Sequence, residues 1–329
     1  VPRPIEGAAS VMGRVMDQNV YDAIVVGLGP AGSTAAYELS RAGLTVLGLD
    51  KEAHPRYKVC GGGLSARIEQ ILDPEFHAVV EQTVRGVQFT YQGQNPCCIE
   101  SSMPIAYLVM RDRFDHLLLQ QARRAGTVIH EHEPVLRITQ DDEFVSVTSE
   151  QGTYRARALI GADGANSMVA QHLFPKWNLR RMPTLESEIP LNRAWAYPQQ
   201  GRVVIDLGSA SMGYGWVFPK ENQLSVGVAE FRGRMASPRG VFQRFVEADK
   251  GLSGLTIPQP LGYPLPLYAV AGAQGPRPLV QGRALLVGDA AHLVDPLFGE
   301  GIYYAVRSGQ LAARCIVDPT LGHGFSAYE

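Results

Sequence analysis

"YDAIVVGLGPAGSTAAYELSRAGLTVLGLD", residues 21–50, is the stretch that decides the fold. Ala23 to Val26 form a short apolar run, the pattern of a strand buried on both faces of a parallel sheet. Gly27, Gly29 and Gly32 follow in GxGxxG spacing, with Pro30 and Ala31 between the last two. A helix comes next, with small or apolar residues at Ala31, Ala35, Ala36 and Leu39. Thr45 to Leu49 then reads as a second strand, ended by Asp50 and Lys51. With 35 glycines in 329 residues, chance alone supplies about 0.4 matches to the bare glycine spacing. The assignment therefore rests on context: strand before, helix after, acid at the end of the second strand.

Each piece has a physical task. Gly27 permits a tight turn, Gly29 lets a pyrophosphate approach the main chain, and Gly32 lets helix and strand pack closely. The helix start adds unpaired N–H groups and a positive dipole end. Asp50 accepts ribose hydroxyls, and its charge repels a 2′-phosphate.

Bulk properties narrow the class. The chain is 45% hydrophobic and 19% charged, as a globular protein is, and its length suits two domains or one interleaved one. A net charge of −2 argues against a general nucleic-acid binder. No apolar run is long enough for a transmembrane helix. Residues 1–19 lack the apolar stretch of a secretory signal and read as a flexible leader. Cys60, Cys97, Cys98 and Cys315 show no framework spacing, which fits a reducing, cytoplasmic setting. His130 and His132 lack a third ligand, so no metal site is expected.

Two later turns separate FAD from NAD. "RARALIGADGANSMVA" (155–170) is a strand ending in Gly161, Asp163 and Gly164, and "GRALLVGDAAHLVDPLFGEG" (282–301) is another, followed by Gly288 and Asp289. A flavin needs the second acid because its ribityl chain carries hydroxyls of its own. Asp289 is placed to accept one, while Gly299, Gly301 and Ile302 offer N–H groups and a helix dipole to the ring. Asp163 has a simpler alternative, as a cap on its helix.

The order of these turns resembles the glutathione-reductase-like FAD fold, in the version of p-hydroxybenzoate hydroxylase relatives. That resemblance implies an α/β chain, with a Rossmann-like FAD-binding domain and an inserted antiparallel-sheet substrate domain. The FAD-binding domain is expected at 20–83, 105–170 and 276–329, and the substrate domain at 84–104 and 171–275. By the same resemblance Arg111 reaches the ribityl-phosphate region, with Arg113 its rival, and Val135 meets the adenine through its backbone.

Two further stretches narrow the family. "HPRYKVCGGGLSAR" (54–67) resembles the PRYKxCGGxLSxR signature of the geranylgeranyl reductase family, with Val59 and Gly63 departing from its commoner residues. "YGWVFPK" (214–220) resembles that family's (Y/F)xWxFP motif. Tyr214, Trp216 and Phe218 recur at every second position, so they share one face of a strand, which Pro219 then stops.

The family resemblance implies that these aromatics cover a substrate cavity. It also implies that Cys60, Gly61 and Gly62 lie against the flavin, with Cys60 as candidate catalytic residue or, alternatively, an inert thiol. The implied activity is FAD-dependent saturation of prenyl C=C bonds by hydride transfer, on a prenyl lipid or prenyl diphosphate. Cys60, a tyrosine or water remain open as proton donor. There is no second glycine motif for a nicotinamide, so NADPH docks transiently or reduced ferredoxin supplies electrons. A peripheral membrane encounter follows from the substrate, and members of the family continue past "FSAYE" (325–329) in a further helical segment. Alternatives within the fold are a monooxygenase or halogenase and a non-catalytic prenyl binder.

Overall fold

The computed structural model describes residues 20–177, 181–191, 201–231, 237–268, 277–318 and 328. The expected leader, and parts of both inserted and C-terminal segments, lie outside the described residues.

Strand Val20–Val26 sits at the middle of an eight-stranded sheet. Thr153–Gly161 and Val46–Leu49 flank it in parallel, and Ala284–Leu286 and Val128–His130 extend the parallel set on either side. Ala23 to Val26 are almost fully buried because helices and strands cover both faces, which is why the sequence there is apolar without alternation. Helices Pro30–Arg41 and Ile302–Val317 pack side by side on one face. They approach closely: a side chain at Gly309 would begin 2.4 Å from the carbonyl oxygen of Ala31.

A second sheet has seven strands in the order Leu261–Pro266, Arg181–Pro190, Gln223–Glu230, Gly213–Pro219, Arg202–Leu207, Gly86–Tyr91, Gln94–Glu100. All pairs are antiparallel except Arg202–Leu207 with Gly86–Tyr91. One face packs on helix Pro238–Ala248 through Phe242 and Phe245, with Val204, Val217 and Val226. Strands Gly86–Tyr91 and Gln94–Glu100 therefore join the sheet formed by the later segment. A small third sheet joins Gly63–Ser65, Ala106–Val109 and Val80–Val84 and links the two larger ones.

The α/β architecture is thus a parallel sheet carrying the glycine turn, faced by an antiparallel sheet carrying the aromatic strand. Among the described residues no helix is long and apolar enough to cross a membrane.

Candidate functional site

Between the sheets lies a cavity of about 1070 Å³. Ordinary small-molecule pockets span roughly 300–1,000 Å³, so this one has room for a dinucleotide with part of a second molecule. The Gly27–Ala31 turn lines one part of it, the Cys60–Ser65 segment another, and the Phe298–Ile302 loop a third.

The first strand gives way to Gly27, whose φ of +91° only glycine adopts without strain and where a side chain would begin 2.5 Å from the carbonyl oxygen of Ala162. Gly29 is the N-cap of helix Pro30–Arg41, with Pro30 at its first turn, so the helix start faces the cavity. Gly32 does not line the cavity. It packs against Gly27 and Ala162, the close-approach task expected of it.

Asp50 ties the second strand back to this turn. Its carboxylate accepts the Leu28 N–H at 2.6 Å and the Glu52 N–H at 2.9 Å. Burial pushes its pKa up, but His54 and these two N–H groups outweigh burial and hold it below the usual carboxylate range. A carboxylate has about four acceptor sites, so two bonds leave capacity for ribose hydroxyls. Lys51 stands exposed at the rim, and Val135 lines the cavity beside Glu133 and Pro134.

Arg111 lines the cavity and Arg113 does not; Arg113 pairs with Glu81 on the surface. The Arg111 guanidinium is clamped by Asp115 through two 2.8 Å hydrogen bonds. Arg56 contributes a second cation to the same carboxylate at 3.0 Å. Its Nη2 lies where a side chain at Gly29 would point, at 3.6 Å. Its Nη1 is buried and has no hydrogen-bond partner. A buried, unpaired guanidinium nitrogen beside a helix start and a side-chain-free glycine fits a diphosphate, which would supply the missing acceptor. The sequence reading cited Arg56 only as part of a signature and missed this role; the orphaned nitrogen is visible only in three dimensions.

Gly288 and Pro219, like Gly32, stand off the cavity wall, whereas Asp163 lines it. The Asp163 carboxylate also caps helix Met168–Leu173: it accepts the Ser167 hydroxyl at 2.5 Å and the N–H groups of Met168 and Val169 at 2.7 and 3.2 Å. The capping alternative holds for its side chain; with Gly164 it can offer the cavity main-chain atoms. Gly288 lies behind the wall, its φ of +56° turning the chain so that Asp289 faces inward while a side chain would strike Ala31. Pro219 also lies outside the wall, because the last aromatic of its strand is Phe218 and Pro219 already pairs with Leu224 in the turn.

Asp289 accepts the Tyr263 hydroxyl at 3.2 Å, and Lys58 Nζ sits 3.1 Å from the centre of the Tyr263 ring. Burial, followed by the neighbouring Arg111 charge, brings the Lys58 pKa down to about 8. Tyr263, on the edge strand of the second sheet, escaped the sequence reading. Gly301 caps helix Ile302–Val317, and Gly299 and Ile302 line the cavity beside it.

Tyr214, Trp216 and Phe218 share one face and all line the cavity. Their rings run in a tilted series, with centroids 6.1 and 6.3 Å apart. The Tyr214 hydroxyl donates to the Phe298 carbonyl at 2.6 Å, pinning the sheet to the loop before the last helix. The Phe218 ring approaches Gly61 and Gly63, and Gly62 adopts a φ of +69° with Val109 O directly against it. The glycine run after Cys60 is therefore the floor beneath the aromatic face. Cys60 lines the cavity, its sulfur accepting the Gly62 N–H at 3.4 Å.

A family model described as an FAD binding domain matches residues 20–190. The chain is 31% identical to a geranylgeranyl diphosphate reductase of Rhodobacter capsulatus, over 89% of this chain and 74% of the relative. It is also 31% identical to a digeranylgeranylglycerophospholipid reductase of Thermoplasma volcanium, over 89% of this chain and 77% of the relative. Among solved structures, a geranylgeranyl bacteriochlorophyll reductase-like protein of Thermoplasma acidophilum superposes with a TM-score of 0.79 at 25% identity. That superposition covers 94% of this chain and 80% of the other. The FAD chemistry, the p-hydroxybenzoate hydroxylase-like fold and the resemblance carried by the two short motifs agree with these relatives.

Proposed function

The chain belongs to the geranylgeranyl reductase family of FAD-dependent oxidoreductases, and on that premise we propose that it saturates carbon–carbon double bonds of a geranylgeranyl-type prenyl chain. The observation that carries this reading is the placement of Tyr214, Trp216 and Phe218 in one cavity with the glycine turn and the Cys60–Gly63 loop. A dinucleotide site alone has no use for a contiguous aromatic wall.

When bound, reduced FAD supplies two electrons and a hydrogen to the alkene. The protein's residues do the rest. Gly29 and the helix start, with Arg56, hold the diphosphate; Asp50 takes the adenosine ribose; Asp289 takes a ribityl hydroxyl. Gly301 and Ile302 meet the ring with main-chain N–H groups and the dipole of a sixteen-residue helix, while Gly299, whose N–H is already given to the Asp295 carbonyl, lines the cavity beside them. Cys60 stands where the floor loop meets the cavity. The aromatic face excludes water from an isolated double bond, a poor electron acceptor that must be held close and still. Apolar burial of the chain adds about 25 cal/mol for each Å².

The cofactor segments are 20–83, 105–170 and 276–329, and the substrate segments are 84–104 and 171–275. NADPH or reduced ferredoxin recharges the cofactor. A prenyl lipid or prenyl diphosphate brings a cytoplasmic protein to the bilayer surface.

The test is anaerobic incubation of the chemically reduced protein with geranylgeranyl diphosphate or an archaeal-type ether lipid. Each saturated bond adds the mass of two hydrogens. Product that forms only with oxygen, bearing a hydroxyl or halogen, would replace this reading with a monooxygenase or halogenase.

A further inference from the structure

The aromatic wall contains an acid that the roles above leave unused. Glu186 pairs across the sheet with Gly227, Gly227 with Trp216, Trp216 with Ile205, and Ile205 with Phe89. In this single transverse row every residue but Gly227 lines the cavity. Gly227 has no side chain because the indole of Trp216 fills the space: a Cβ there would lie 2.1 Å from a Trp216 ring carbon. Glu186 is only 1% exposed, so its carboxyl is shut away from bulk solvent.

A hydrogen-bond chain orients that carboxyl. The indole N–H of Trp216 can only donate, and it lies 3.2 Å from Ser225 Oγ. Ser225 therefore accepts from Trp216 and gives its own hydrogen to Glu186 Oε1, at 2.5 Å. In the neutral acid Oε1 is then the carbonyl oxygen, and the proton sits on Oε2.

The charged and titratable groups facing it are Lys220 after the aromatic strand, Lys58 and Tyr57 from the floor loop, and Glu188 on its own strand. Burial dominates this set. Against the lowering by Ser225, Lys220 and Lys58, it lifts the Glu186 pKa to about 7, so the acid and its anion are both accessible near neutrality.

We propose that Glu186 is the proton donor of the cavity, its proton held on Oε2 by the Trp216–Ser225 chain. The inference rests on the reductase reading. The alkene π bond breaks; one carbon takes a hydrogen with its electron pair from the reduced cofactor, and the other forms a C–H bond to the Glu186 proton. The carboxylate left behind is re-protonated by water. Trp216 is a positioning residue for this step as well as part of the wall.

The experiment pairs anaerobic single turnover of the FAD-loaded, reduced protein on geranylgeranyl diphosphate with infrared difference spectra of the same samples, for wild type and E186Q. The protonated-carboxyl C=O stretch seen below neutrality in the wild type is expected to vanish in E186Q. Saturation is expected to slow about 10²–10⁴-fold with flavin content retained. S225A gives a second readout: losing the hydrogen bond to Oε1 moves the same stretch to higher frequency. A wild-type rate in E186Q, or a spectrum in which neither substitution moves a carboxyl band, overturns the donor role and leaves the prenyl reading standing. A wild-type protein that saturates no prenyl substrate while its Glu186 band is present sinks the prenyl reading and the donor role with it.

Discussion

Lys58 Nζ sits 3.1 Å from the centre of the Tyr263 ring, and the hydroxyl of that ring reaches Asp289 at 3.2 Å. The contact joins three distant pieces of chain: the floor loop, the edge strand of the antiparallel sheet, and the second acid-bearing turn. Both residues are half-buried, so the cation–ring contact is worth about 1–2 kcal/mol, between the exposed and the fully shielded limits. Tyr263→Leu should therefore destabilise the protein by about that amount, and Tyr263→Phe, which keeps the ring, by less. Urea melts of the two variants decide it; equal losses would mean that the ring does not carry the contact.

Arg56 should matter for cofactor affinity out of proportion to its exposure. Replacing it by Met leaves Asp115 still paired with Arg111 but removes the orphaned Nη1 from the helix start. A charge-assisted bond to phosphate contributes about 1.5–3 kcal/mol, so FAD should bind roughly ten- to a hundredfold more weakly. Titration of apoprotein by flavin fluorescence measures this, and wild-type affinity would place the diphosphate elsewhere.

Trp216→Ala should lower turnover while FAD stays bound, because the indole belongs to the wall over the substrate and not to the glycine turn. Gly227→Ala should do similar damage from the other side, by forcing the indole off its seat. Flavin absorbance retained with reduced product formation is the expected pair of results. Loss of flavin or of folding in both variants would make the aromatic face structural.

Glu186 predicts a pH dependence of stability with a definite sign. Its pKa rises from 4.5 to about 7 on folding, so between these values the native state binds more protons than the unfolded state. Wild-type stability therefore falls as pH rises through that window, by an amount on the order of 3 kcal/mol. Glu186→Gln has no such term, so its melting temperature relative to wild type should rise between about pH 5 and about pH 8.5. A difference that stays flat across that range would mean that the acid is not held neutral.

The glycine turn, Asp50, Asp289 and the aromatic triplet were legible because each is a local pattern whose neighbours in sequence are also its neighbours in space. Glu186 was not. In "LESEIP" (185–190) Glu186 and Glu188 alternate with Leu185 and Ser187, and such a face reads as solvent. Only pairing with Gly227, forty-one positions on, turns it toward the cavity. Tyr263 and Arg56 were hidden for the same reason, since their partners Lys58, Asp289 and Asp115 come from other segments. Asp163 carries both of its readings, since it lines the cavity while its carboxylate also caps the next helix.

The central claim is tested most directly by watching the flavin itself. The protein is reduced anaerobically, geranylgeranyl diphosphate is added, and the oxidised-flavin absorbance is followed alongside the mass of the prenyl product. The oxidised spectrum should return without oxygen, with two hydrogens gained by the prenyl chain for each flavin reoxidised. A flavin that stays reduced until oxygen is admitted, beside an unchanged prenyl chain, would contradict it.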